Sequence, residues 1–294
     1  MFCDPSRQNC WGSGSGRSST SPALPSNGSR INLNPSAVPV DKGLGIETIY
    51  YKNSFDVALT QGLGRVGAAI SPSNAEESFF GPPGFEPQLD YLQRQRNRDK
   101  YQSQKISLAT AVSLLRNKRA GLKKFELNLG VMGKYNKHTQ TVWPGAGISG
   151  IIGPLTYGYS LTGDEYQQET TINGIDQKSK LRYRTETISI GIYLSSFVFD
   201  YSALRVYPED GKPIPVSLFT TTLFLNRWIL TGALRSEESD RLEYDPELDM
   251  LVENQQKTEL FGGAQFNVTK HLMLALFYNY YRVREISLGA TLFF

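Results

Sequence analysis

No uninterrupted apolar stretch in this 294-residue sequence approaches the roughly 18 residues that a membrane helix needs, although 39% of the residues are hydrophobic. A helical membrane protein is excluded. Histidine is nearly absent: His138 and His271 are the only two, and they fall in connections expected at opposite ends of the fold. That leaves no basis for a His-centred acyl transfer or a His-rich zinc site, so neither catalysis, a metal nor a cofactor is expected. Thirty-one Lys and Arg nearly balance 28 Asp and Glu, for a net charge of +3, which argues against a nucleic-acid partner. The only cysteines, Cys3 and Cys10, sit in a Ser/Gly-rich stretch. Pairing in an oxidising compartment and two unpaired thiols in a tail are both open. Met1 to Gly16 has no apolar core of the kind a signal peptide carries, so an exported chain is expected to appear here in mature or truncated form.

What the sequence does have is short segments of period two. Residues 11–42 are dense in Ser, Gly, Pro and Asn and bury little; they are expected as an N-terminal tail or a lumen plug spanning 1–42. From Gly43 to Phe294 apolar residues alternate with small or polar ones. Leu272, Leu274, Leu276, Tyr278 and Tyr280 share one face. Ile188, Ile190, Ile192 and Leu194 oppose Thr187, Ser189 and Gly191, and Phe125, Leu127, Leu129 and Val131 oppose Glu126, Asn128 and Gly130. A soluble sandwich would put Lys and Glu on its outer faces; here the polar face is mostly Gly, Ser, Thr and Asn, as in a barrel lumen. The 16 Tyr, 15 Phe and 3 Trp gather near segment ends, where an interfacial girdle would place them.

Short turns near Gly153-Pro154, Ser195-Ser196, Asn226 and Thr269-Lys270 interleave with longer connections at 72–104, 136–142, 163–182, 207–212 and 235–256. That is the asymmetry between the two ends of an outer-membrane barrel. With 45–51, 55–61 and 65–71 as three separate strands, the fold is an all-β antiparallel transmembrane barrel of about 14 strands, 12 being the alternative, over residues 43–294. Alternation assigns Glu47, Asp56, Glu126, Lys134 and Asp200 to the inner face, where mixed charge can pair, hold a plug or line a polar path.

Two motifs carry family resemblance. The terminal Ser287-Leu-Gly-Ala-Thr-Leu-Phe-Phe294 resembles the C-terminal signal of Gram-negative outer-membrane proteins in Ser287, Gly289, Leu292 and Phe294, which implies recognition by the barrel-assembly machinery. Asn34-Pro35-Ser36-Ala37-Val38-Pro39, followed by Gly43-Leu-Gly-Ile-Glu-Thr48, is similar to the Asn-Pro-Ala region before strand one of FadL-like hydrophobic-compound channels, with Ser in place of the first Ala. In that family the N-terminal segment folds into the lumen as a hatch. The resemblance implies passage of small solutes, hydrophobic ones among them, gated by the N-terminal segment. The alternative is a non-transporting barrel whose outer loops bind a surface or a protein partner.

Other features read more plainly. Gly62-Leu-Gly-Arg-Val-Gly67 fits a dinucleotide fingerprint to the letter, but no βαβ unit surrounds it, and its glycines read as a tight connection and small lumen-facing residues. The acidic stretch 235–253 could meet cations that bridge lipopolysaccharide, or be a solvated loop. The basic stretch 94–105 follows an apolar Phe79 to Phe85 run, which could cover the mouth or form a plain surface loop. Membrane lipid and lipopolysaccharide are the remaining expected partners.

Overall fold

The computed structural model describes residues 33–51, 54–73, 100–102, 104–117, 125–172, 175–194, 196–209, 213–245, 250–279 and 285–294. Cys3, Cys10 and the Phe79 to Phe85 run lie outside them. Fifteen strands follow a 3-10 turn at Pro35–Ala37: β1 Gly43–Tyr51, β2 Ser54–Gly62, β3 Val66–Ser73, β4 Lys100–Gln102, β5 Lys105–Asn117, β6 Phe125–Asn136, β7 Thr141–Ile152, β8 Leu155–Ile172, β9 Ile175–Leu194, β10 Phe197–Pro208, β11 Ile214–Leu225, β12 Trp228–Asp245, β13 Met250–Asn267, β14 Leu272–Asn279 and β15 Glu285–Phe293.

Apart from β4, each strand pairs antiparallel with its sequence neighbours, and β15 returns to pair with β1. The wall is a closed barrel of 14 strands, in which β1, β2 and β3 stay separate. At the seam Ile49 faces Gly289 and Glu47 faces Thr291, and Leu44 and Phe294 exchange backbone hydrogen bonds of 3.1 and 2.9 Å. Closure leaves no open edge in the 14-stranded wall among the described residues, and backbone groups in hydrocarbon require that.

Side-chain alternation sets which way each residue faces. Leu108, Val131, Ile188, Ile190, Leu230, Leu274, Leu276 and Leu288 all stand exposed on the outer surface. An apolar belt of this extent has no soluble partner and suits acyl chains. Aromatics mark its borders. At the outer end Tyr159 and Tyr207 donate to the two carboxylate oxygens of Glu186 (3.0 and 3.1 Å); at the other rim Trp228 stacks on Phe266 with centroids 4.6 Å apart.

Two expected connections are mostly strand. β8 and β9 run to within two residues of each other, and β12 and β13 reach Asp245 and Met250, so most of the stretches 163–182 and 235–256 is paired. Charge does not prevent this, because the ladder uses only backbone groups, and residues of opposite charge occupy paired register positions, as at Glu169–Lys178 and Glu237–Lys257. The expected loop at 72–104 also contributes β4, which pairs with β8 at Gln167 to Glu169.

Candidate functional site

The lumen is built from the inward positions of every strand and from residues 33–42. Asn34 caps the 3-10 turn: its Oδ1 accepts from Ser36 N at 3.0 Å, and its Nδ2 donates to the carbonyls of Ile148 and Tyr159 at 3.3 and 3.4 Å. Ser36 Oγ lies 2.7 Å from Ser149 Oγ, and Ser160 Oγ donates to the Leu33 carbonyl at 2.7 Å. Val38 and Val40 are fully buried against Ala69, Ala109, Ala111 and Met132 on the inner wall. Farther along, Asp41 takes a 2.6 Å hydrogen bond from Arg116, which also donates to the Gly64 carbonyl at 3.3 Å, and Gly64 N donates to Val40 O at 2.7 Å.

Glycine makes room for this strap. A Cβ built on Gly62 would lie 1.8 Å from Asp41 O, on Gly67 2.1 Å from Pro39 O, on Gly130 2.3 Å from Ser36 N and on Gly147 2.1 Å from Asn34 Oδ1. Any larger residue at these points would drive the strap off the wall. Two of the four belong to the Gly62-to-Gly67 run, so those glycines form a groove for the chain's own backbone, and Gly64, at φ +107°, makes the β2–β3 turn.

Four of the five inner-face candidates have described side chains, all buried: Glu47, Glu126, Lys134 and Asp200. Asp56 lies on β2, and its side chain is outside the described residues. Lys134 lies 3.4 Å from Asp164, which lies 2.5 Å from Lys105. Beside them Glu165 is held by Arg182 (2.7 Å) and Thr141 (3.1 Å). This set braces the outer ends of β5 to β9. Glu126 accepts from Asn128 at 2.9 Å on β6, and Glu47 lies 3.5 Å from Thr291 across the seam. Asp200, on β10, is 2% exposed; Ser202 Oγ is 3.5 Å from its Oδ1, and its Oδ2 has no hydrogen-bond partner. The five candidates therefore stand apart around the wall, on β1, β2, β6 and β10.

Asp164, Glu165, Asp41, Arg116 and the glycine groove escape a sequence reading. Their partners are far along the chain, and only the Asn-Pro step and the inward glycines hint at the strap. A larger omission is the lining of β9 to β12. The expectation of a small, polar lumen holds at mid-height, where Ser189, Asp200, Ser202, Thr220, Thr222 and Thr231 face inward. Toward the outer end, however, Tyr183, Leu204, Val206, Ile214, Val216, Leu218 and Ala233 form a buried apolar layer inside the barrel, with Leu33 packed against it. A second apolar layer of Val198, Phe224, Ile229 and Met273 lies toward the opposite rim. The wall is thus apolar, then polar, then apolar along its height.

The terminal residues sit on β15 and just after it. Gly289 faces inward, where an added Cβ would meet Ala275 Cβ at 3.2 Å, while Leu292 and Phe294 are exposed on the outer surface. His271 Nδ1 lies 2.9 Å from Phe293 O, and His138 is in the opposite turn, between β6 and β7. The histidines do not meet.

The sequence matches no protein-family model and no curated protein. Among solved structures, the barrel is similar to the CymD monoaromatic hydrocarbon channel, with a TM-score of 0.54 and 10% identity over 100% of this chain and 98% of that one. Weaker likenesses are the toluene transporter TodX of P. putida, with a TM-score of 0.44 and 9% identity over 95% of this chain and 97% of that one, and the channel DcaP of Acinetobacter baumannii, with a TM-score of 0.40 and 11% identity over 86% and 96%. The chain has the fold of the outer-membrane β-barrel channels.

Proposed function

We propose that this barrel passes small apolar solutes across a bacterial outer membrane and that residues 33–42 gate the path. The buried apolar layer around Leu204, Val206, Ile214, Val216 and Leu218 carries the reading. A passage for water and ions has no use for such a surface, which is closed off here with Leu33 packed on it, whereas an apolar solute leaving water gains about 25 cal/mol for each Å² that it covers there once the strap withdraws. The strap lies mainly across β3 and β5 to β8, with Leu33 at its start packed against this apolar layer, and a few hydrogen bonds, one ion pair and the burial of Val38 and Val40 hold it. Such contacts can open without unfolding the barrel. The fold shared with a hydrocarbon channel agrees with this reading. We further infer contact with membrane lipid and lipopolysaccharide around the belt, and assembly through Ser287, Gly289, Leu292 and Phe294.

The test is uptake of labelled ethylbenzene into vesicles whose outer leaflet is lipopolysaccharide, because a phospholipid bilayer alone does not hold back hydrocarbons. The full chain should raise uptake above that of protein-free vesicles, and deleting residues 1–42 should raise it further and increase single-channel conductance. A truncated barrel that inserts yet passes neither ions nor solute would sink the proposal. Binding by the projecting β8–β9 and β12–β13 hairpins would then take its place.

A further inference from the structure

Directly beneath the outer apolar layer lie polar groups that the barrel itself does not use. Asp200 Oδ2 is unpartnered, and so are the hydroxyls of Thr156, Thr187, Ser189 and Thr222, each on a side chain no more than 3% exposed. Apart from Thr187, which faces Leu204 at the level of the apolar layer, they belong to one patch. Gly191 on β9 faces both Thr156 and Asp200 across the ladder, Ser189 faces Ser202, and Thr222 stands one inward position along β11 from Thr220, which faces Asp200.

Gly191 brings them together. A Cβ built there would lie 2.5 Å from Thr156 Oγ1 and 3.2 Å from Asp200 Oδ2, so the hydroxyl and the carboxylate close over bare backbone, with no side chain between them. No Lys or Arg forms an ion pair with Asp200 among the described residues. A buried carboxylate left in this state is costly unless something donates to it.

We infer that this patch takes the hydrogen-bond-donating head of an otherwise apolar solute, an alcohol or a phenol. The donor goes to Asp200 Oδ2, Thr156 supplies the second contact, and the apolar body rests on Leu218, at the near edge of the layer above. Leu204 is two inward positions along β10 from Asp200, and Leu218 is one along β11 from Thr220. Leu218 therefore stands about 7 Å above the level of Asp200 and Leu204 about 13 Å, so a single-ring solute reaches the near edge of the layer at Leu218. The inference rests on the passage reading for its route but not for its affinity. It narrows the solute from apolar in general to apolar with one donor.

The experiment compares 4-ethylphenol with ethylbenzene, which differ by one hydroxyl, for saturable binding to the full chain in lipid nanodiscs after subtraction of empty discs. The phenol should bind about ten-fold tighter, equivalent to about 1.4 kcal/mol and in keeping with a hydrogen bond to a buried group that otherwise lacks one. In Asp200→Ala the preference should fall to near unity while ethylbenzene affinity stays within about two-fold. Thr156→Val, which keeps the shape and loses the hydroxyl, gives a second reading should Asp200→Ala fail to fold; it should cut phenol affinity several-fold. A preference unchanged in either folded variant, or no preference in the native chain because water alone satisfies the patch, overturns the inference. Uptake measured on the same proteins separates the two proposals: retained phenol preference with no uptake of either solute refutes passage, and uptake of both with no preference refutes the head-group site.

Discussion

Replacing Gly130 with valine should unseat the strap without harming the wall. Gly130 lies on β6, and its missing side chain leaves the space that Ser36 N and Pro35 occupy, at 2.3 to 2.5 Å from an ideal Cβ. Ordinary contact begins near 3.4 Å, so the strap must retreat by about 1 Å or more, and overpacking of this kind costs about 1–3 kcal/mol. At about 1.4 kcal/mol per factor of ten, the seated population should fall roughly five- to 140-fold relative to the unseated one. The assay is maleimide labelling of Ser36→Cys, in a chain whose Cys3 and Cys10 are serine. Ser36 is fully buried, so labelling should be slow in the parent and rise in proportion once Gly130→Val is added. Gly262→Val is the control: an added Cβ there meets nothing within 4 Å, and labelling should not change. Equal rates in all three proteins, with Gly130→Val correctly folded, would refute the groove as the seat of the strap.

Removing the strap's ion pair with Arg116→Ala should raise the same labelling rate by a smaller factor, since one partly buried pair contributes less than the whole seat. Leu276→Arg puts a charge on the apolar belt and should lower stability by about 2–4 kcal/mol, read as a shifted urea midpoint in liposomes, while Gln265→Glu on the inner face of β13 should shift it little; equal shifts would contradict the assignment of faces. Asp164→Asn leaves Lys105 and Lys134 without the carboxylate between them and should cost about 3–5 kcal/mol, visible as a lower temperature of heat-modifiability, and no change would show that the outer brace is idle.

The strand number, the closed architecture and the facing of most strands were legible because one face of each strand meets lipid and the other does not, and this writes a strict alternation into the sequence. The lining of β10 and β11 was not. There Leu204 alternates with Ala203, and Leu218 with Phe219, so both faces are apolar and periodicity cannot say which looks inward; the register with β9 and β12 decides it. The charged pairs were illegible for another reason. Lys105 and Asp164 are 59 residues apart and Asp41 and Arg116 are 75 apart, distances at which composition carries no pairing information. The overhanging hairpins were misread because charge density resembles a loop, although backbone pairing is indifferent to it.

The strap runs straight into β1, and β1 is the strand that β15 must find to complete the barrel. The first part of the described chain and its last strand therefore meet at one seam, while the strap itself grips β5 to β8, more than 110 residues further along at Ser149 and Tyr159. The strap can then serve as a mandrel: it holds the curvature of β5 to β8 from the concave side and presents β1 at a fixed position, so that the search for ring closure is made by β15 alone.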